Sequence, residues 1–194
     1  MKKRFGIDID GTVTRPDAMV PFINKAFGMN LAYEDITEYD LTPFVHVPAE
    51  DFSKWFMENE PLIYAESPIA EGAKKALGEW MHSADLYFIS ARHSKLLQIT
   101  KEWFKAQGLG YHHIELIGSH DKVETAKRCK VDLFLEDKHD NAVAISEQCN
   151  IPVILFDTPY NRLPVPDSVI RVHTWLEAEQ WVKNWLKDVR SKEE

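Results

Sequence analysis

Short apolar runs of strand length recur along the chain: FGIDI, DLYFIS, HIELIG, VDLFLE, PVILFD and VIRVH. Between most of them lie AEGAKKALGEWMH, SKLLQITKEWFKAQG, KVETAKRC and DNAVAISEQC, whose apolar residues repeat every three or four positions and so stripe one face of a helix. Strand and helix alternate. Runs that stay apolar from one position to the next need cover on both sides, so the pattern predicts an α/β fold, a doubly wound parallel sheet flanked by helices. Trp175, Trp181 and Trp185 share a helical face that reads as docking on this sheet, and the tail DVRSKEE reads as a frayed, solvated end.

The alternation has one gap. Residues 15–68 show helical patterns punctuated by Pro16, Pro21, Pro43, Pro48, Pro61 and Pro68, and they are dense in aromatic residues from Phe22 to Tyr64. This predicts a small helical cap inserted after the first strand, with the core formed by residues 1–14 and 69–194. Most of the rings read as cap filling. The position of the insertion says more than its composition, because it overhangs the carboxyl ends of the strands, where open α/β sheets bind ligands.

The 194 residues suffice for one domain with a modest insertion, and 44% hydrophobic with 28% charged residues is globular composition. A net charge of −8 argues against polymeric nucleic acid as a partner, although a local cation can reverse the field within one cleft. MKKR begins like a signal peptide, but FGIDIDGT brings charge where an apolar stretch should follow, and no apolar run reaches spanning length. The expectation is a soluble cytoplasmic protein without a membrane partner; oligomeric state is not legible. Cys129 and Cys149 have no metal-ligand spacing and read as reduced thiols near helix ends. None of the eight histidines shows zinc-ligand spacing, and His139 lies nearest the chemistry considered next.

The first strand runs into Asp8 and Asp10, followed at once by Gly11 and Thr12. Residues two apart on a strand share a face, so the two carboxylates project together while Ile7 and Ile9 point the other way. They are either a solvated strand end or a site, since buried carboxylates repel unless a cation joins them. Three further features tilt the balance. VDLFLEDKHDN ends the fourth strand in Glu136 and Asp137, on the same sheet edge. DLYFISAR ends the second in Ser90, with Arg92 two residues on and Ser94 as the better helix cap. Lys122 opens the helix between the third and fourth strands, against the helix dipole.

DIDGT at Asp8 to Thr12, Ser90, Lys122 and EDKHDN at Glu136 to Asn141, in that order, resemble the four motifs of the haloacid dehalogenase superfamily of phosphohydrolases. NEPLIYAESPIAEGAKKAL, FISAR and FDTPYNR resemble its 5'(3')-deoxyribonucleotidase branch. The resemblance implies a Rossmann-like core and a covalent mechanism, with Asp8 as nucleophile and Asp10 as general acid and base. It implies magnesium held by the Asp8 carboxylate, the Asp10 backbone carbonyl and the Asp137 carboxylate, and phosphoryl binding by Ser90 and Lys122. An acid at position 10 favours phosphatase over dehalogenase chemistry. Glu136 departs from the commoner aspartate or glycine and is assigned a supporting role behind the ligands.

The implied substrate is a nucleoside monophosphate whose base stacks on cap aromatics, with Phe22, Phe44, Trp55 and Phe56 as candidates. Arg92 either meets a second polar group of that substrate or is simply solvated, and TPYNR, though part of the resemblance, can be read as only a turn. Two rivals stand beside this reading: a phosphatase of a small metabolite such as a sugar phosphate, and a non-catalytic phospho-acceptor of the receiver type.

Overall fold

The computed structural model describes residues 2–193. Six parallel strands form one sheet: β1 (Lys3–Ile7), β2 (Ala84–Ser90), β3 (His113–Leu116), β4 (Leu133–Glu136), β5 (Val153–Phe156) and β6 (Val169–Val172). Their order is β3-β2-β1-β4-β5-β6, so the chain winds outward from β1 in one direction, returns, and winds outward from β4 in the other. The doubly wound parallel sheet expected from the alternation is present.

Alternate residues of each strand feed two separate cores, which explains the unbroken apolar runs. Phe5, Ile7, Leu86, Phe88, Leu133 and Leu135 face α3 (Ala73–Ser83), α4 (Leu97–Gln107) and α7 (Trp175–Glu193). Ile89, Phe134, Val153 and Leu155 face α5 (Val123–Cys129) and α6 (His139–Cys149). Gly6 has no side chain because the Phe134 ring fills that place, where a Cβ would fall 2.3 Å from the ring. The tryptophan face docks as expected: Trp175 is buried, with Trp181 and Trp185 packed behind it. The tail departs from expectation, since α7 continues through Glu193. Cys129 and Cys149 are free and close α5 and α6.

The segment between the first two strands folds as α1 (Val20–Phe27), two short 3-10 turns at Tyr33–Asp35 and Thr42–Phe44, and α2 (Ala49–Glu66). Its ends lie side by side, with a bridge between Thr14 and Ile69 and a bond of 2.9 Å from the Arg15 amide to the Pro68 carbonyl. Ile23, Ile36, Val45 and Ile63 are buried, and Phe27, Phe52 and Trp55 pack ring on ring. Pro61 does not punctuate as its residue type suggests. It lies inside α2, where packing of the neighbouring Glu60 and Ile63 outweighs one lost backbone bond. Among the described residues no helix is long and apolar enough to cross a membrane.

Candidate active site

The register of β1 against β4 builds the site. Ile7 lies opposite Leu135, and the Asp8 amide donates to the Leu135 carbonyl at 2.9 Å, so Asp8 emerges beside Glu136 and Asp137. The strand order reverses at this junction, which opens a crevice at the carboxyl ends. The strand ends at Ile7, two residues earlier than its apolar run suggests. Ile9–Val13 instead forms a tight turn closed by a 2.9 Å bond from the Thr14 amide to the Ile9 carbonyl.

Asp8, Glu136 and Asp137 are buried, and one carboxylate oxygen from each lies within 4.8 Å of the others. Lys122 is also buried; its ammonium donates to Glu136 Oε2 at 2.8 Å and contacts the Asp8 carboxylate. The second oxygen of Glu136 accepts from the Lys138 amide at 3.3 Å and Asn141 Nδ2 at 3.2 Å. Glu136 thus holds Lys122 in place from behind. The lysine expected at the helix start is neither solvated nor idle.

Burial pushes the Asp8 carboxyl well above its ordinary range; Lys122 opposes this, and Glu136, Asp137 and Asp10 add to it. Burial, reinforced by Glu136, raises Asp137 to about 7, against the pull of the Tyr160 hydrogen bond and Lys122. Burial alone would lower Lys122, but Asp8 and Glu136 outweigh it and the ammonium holds its proton more tightly than usual. One cation therefore serves three buried acids. Asp137 Oδ1 is buried with no hydrogen-bond partner. An all-oxygen donor set with surplus negative charge and an orphaned acceptor fits a hard divalent cation.

Gly11 has φ 84°, and a Cβ there would fall 2.3 Å from Asp137 Oδ2. Gly11→Ala should therefore destabilise the fold by about 2 kcal/mol or more, through left-handed strain and displacement of that carboxylate. Urea unfolding of the two proteins measures it.

The remaining candidates sit one step away. Asp10 turns its carboxylate to Arg92, which donates from Nε to Oδ2 at 2.8 Å and from Nη2 to Oδ1 at 2.7 Å. Arg92 is buried, donates to Thr100 Oγ1 at 3.0 Å and has the Tyr64 ring 4.0 Å from its guanidinium carbon. It lines the cavity, but its fork is occupied by Asp10 rather than open to solvent. Ser90 Oγ accepts from the Arg92 amide at 3.1 Å and lies 3.5 Å from Asp10 Oδ2. Ser94 is not the cap: His93 Nδ1 accepts the Lys95 amide there. The structure thus brings Asp8, Asp137 and Lys122 together and places Asp10, Ser90 and Arg92 as a second, linked group.

Above these groups lies a cavity of about 600 Å³. Asp8, Asp10, Lys122 and Asp137 line its polar end, and Met19, Ile23, Ile36, Phe52, Phe56 and Tyr64 its apolar wall. Of the four rings proposed from sequence to meet a base, Phe56 lines the cavity; Trp55 packs against Phe27 and Phe52 instead. His139 bonds to the Pro164 carbonyl at 2.9 Å, and the histidines on the cavity wall are His93 and His120. Sequence reasoning also passed over Tyr39 and Tyr160, although TPYNR was visible as a motif. Lys138 lies 4.2 Å from the Tyr39 ring centre, and Tyr160 donates to Asp137 Oδ2 at 2.6 Å.

A family model described as 5' nucleotidase, deoxy (pyrimidine), cytosolic type C protein matches residues 3–191. "Putative nucleotidase BH1399" of Halalkalibacterium halodurans is 52% identical, with 96% of this chain and 95% of that protein covered. "Putative nucleotidase YqfW" of Bacillus subtilis is 46% identical, with coverages of 93% and 94%. A solved haloacid dehalogenase-like protein of Agrobacterium tumefaciens superposes with a TM-score of 0.65 at 12% identity, over 96% of this chain and 100% of its own, and shows the shared fold.

Proposed function

The chain belongs to the 5' nucleotidase, deoxy (pyrimidine), cytosolic type C family, and from that premise we propose a magnesium-dependent 5'(3')-nucleotidase acting on (deoxy)nucleoside monophosphates. Membership makes the protein a hydrolase of phosphoric monoesters with the haloacid dehalogenase fold, and the non-catalytic receiver alternative falls away. The metal, the covalent route and the substrate class are our reading. One observation carries it: Asp8 and Asp137 line the polar end of a cavity with an apolar wall, and with Glu136 behind them three carboxylates converge within 4.8 Å.

In this reading residues 15–68 are the cap and residues 1–14 with 69–194 the core. The Asp8 carboxylate, the Asp10 backbone carbonyl and the Asp137 carboxylate would hold magnesium. When bound, magnesium supplies positive charge to the phosphate oxygens and offsets the mutual repulsion of the acids. An Asp8 oxygen attacks phosphorus, the phosphorus–oxygen bond to the nucleoside breaks, and Asp10 gives its proton to the departing oxygen. Water then attacks the aspartyl phosphate, Asp10 takes the proton back, and phosphate leaves. Lys122 and Ser90 neutralise charge on the transferring group. Both Asp10 oxygens accept from Arg92, so before Asp10 acts as the acid one of them must leave Arg92 and take up the proton that it then gives to the departing oxygen. Arg92 then orients Asp10 and borders the substrate.

A cavity of about 600 Å³ accommodates a ligand of nucleotide size, and Phe56 on its wall offers a ring for the base. A panel of phosphomonoesters assayed with magnesium tests the substrate. Nucleoside monophosphates are expected to give kcat/KM about 5- to 160-fold above sugar phosphates, since base stacking contributes roughly 1–3 kcal/mol. Sugar phosphates turned over as well or better would replace this reading with the metabolite phosphatase.

A further inference from the structure

The segment FDTPYNR, residues 156–162, takes no part in the reaction above, yet it grips Asp137 by both main chain and side chain. Asn161 is fully buried; its Nδ2 donates to the Asp137 carbonyl at 2.6 Å and to the Phe156 carbonyl at 2.7 Å. The Asn161 side-chain oxygen accepts from Arg171 Nη1 at 2.6 Å and from the Thr158 amide at 3.2 Å. The backbone of Asp137 is thereby anchored to the turn. Next to Asn161, the Tyr160 hydroxyl donates to Asp137 Oδ2 at 2.6 Å, while Asp137 Oδ1 remains buried with no partner.

That asymmetry has a use. A buried carboxylate with one oxygen taken and the other free can turn only by breaking its single hydrogen bond, so its free oxygen points one way. From across the site, Gly11 leaves room for the pair: a Cβ there would lie 3.1 Å from the Tyr160 hydroxyl as well as against Asp137. The Tyr160 ring is fixed in turn by the edge of Tyr39, with centroids 5.8 Å apart. We infer that Tyr160 is a positioning residue for the divalent cation, holding Oδ2 of Asp137 so that Oδ1 alone is presented as a ligand. This rests on the reading that Asp8 and Asp137 hold such a cation. Hydrogen-bonded partners behind metal ligands commonly govern affinity in this manner.

Tyr160→Phe removes one oxygen atom and keeps the ring. Calorimetric titration of the full-length protein with Mn²⁺ is expected to give a dissociation constant about 10- to 100-fold higher than for the wild type. At saturating Mn²⁺ the variant's kcat should return to within about threefold of wild type, because the lost bond acts on cation affinity rather than on the chemical step. A merely structural defect would not be rescued in this way. An unchanged dissociation constant, or a kcat that stays low at saturating Mn²⁺, overturns the inference. Wild-type protein that binds no Mn²⁺ at all would instead sink the parent reading of the site and this one with it.

Discussion

Asp8→Asn is expected to lower phosphomonoester turnover by about four orders of magnitude or more while leaving the fold intact. An amide oxygen is a poor nucleophile, and the neighbouring carboxylates are each held by another group through at least one oxygen. Asp137 is bonded to Tyr160, Glu136 to Lys122, and Asp10 to Arg92. Stability should not suffer. The wild-type carboxylate is buried among like charges, which raises its affinity for a proton, and the amide is neutral at nearly the same volume. Lys122 keeps Glu136 as its partner at 2.8 Å. Phosphate release measured beside thermal unfolding separates the two effects. A folded variant that retains more than about 1% of wild-type kcat would take the nucleophile's role away from Asp8.

The parts of this site written in the sequence are those carried by strand periodicity. A parallel sheet brings every strand's carboxyl end to one edge, so recognising β1 and β4 puts Asp8 and Asp137 on the same edge, and the strand order then makes them neighbours. The direction a side chain takes after the strand stops is a different matter. Asp10 lies in a turn whose shape depends on Gly11 at positive φ and on Thr14 Oγ1, which accepts the Gly11 amide at 3.1 Å. That turn delivers Asp10 to Arg92, a partner 82 positions away that local spacing could not announce. Tyr160 was hidden for the same reason, since its value to Asp137 arises only after β5 has placed the turn beside β4. Phe22, Phe44 and Trp55 failed as guides to the cavity because the inserted segment also packs rings on one another, as Trp55 does on Phe27 and Phe52, and ring content alone does not tell packing from lining. Pro61 misled because tertiary contacts overrode a local preference.

Stripped of divalent cations, the protein should lose thermal stability as pH rises from about 4 to about 7, and magnesium should reverse the trend. The sign follows from Asp137. Its ordinary value is 3.8 and burial beside Glu136 raises it to about 7, so between these limits the folded state binds more protons than the unfolded state. Stability from this group is full below the lower limit, falls through the window and is flat above the upper one. Asp8 is raised for the same cause and acts in the same direction. His120 opposes them: burial, with Lys138 and Lys122, holds it below its ordinary 6.5, so its contribution rises with pH in the upper part of the window. Two carboxyls outweigh one imidazole. The cation requires the ionised acids, so its stabilising effect grows as their protons leave. At a hundredfold excess over the dissociation constant it adds about 2.7 kcal/mol, on the order of 5–10 °C for a chain of this size. Calorimetric melting at pH 5, 6, 7 and 8, with chelator and with excess magnesium, measures the crossing. Curves that stay parallel across this range would mean that no cation meets these carboxylates.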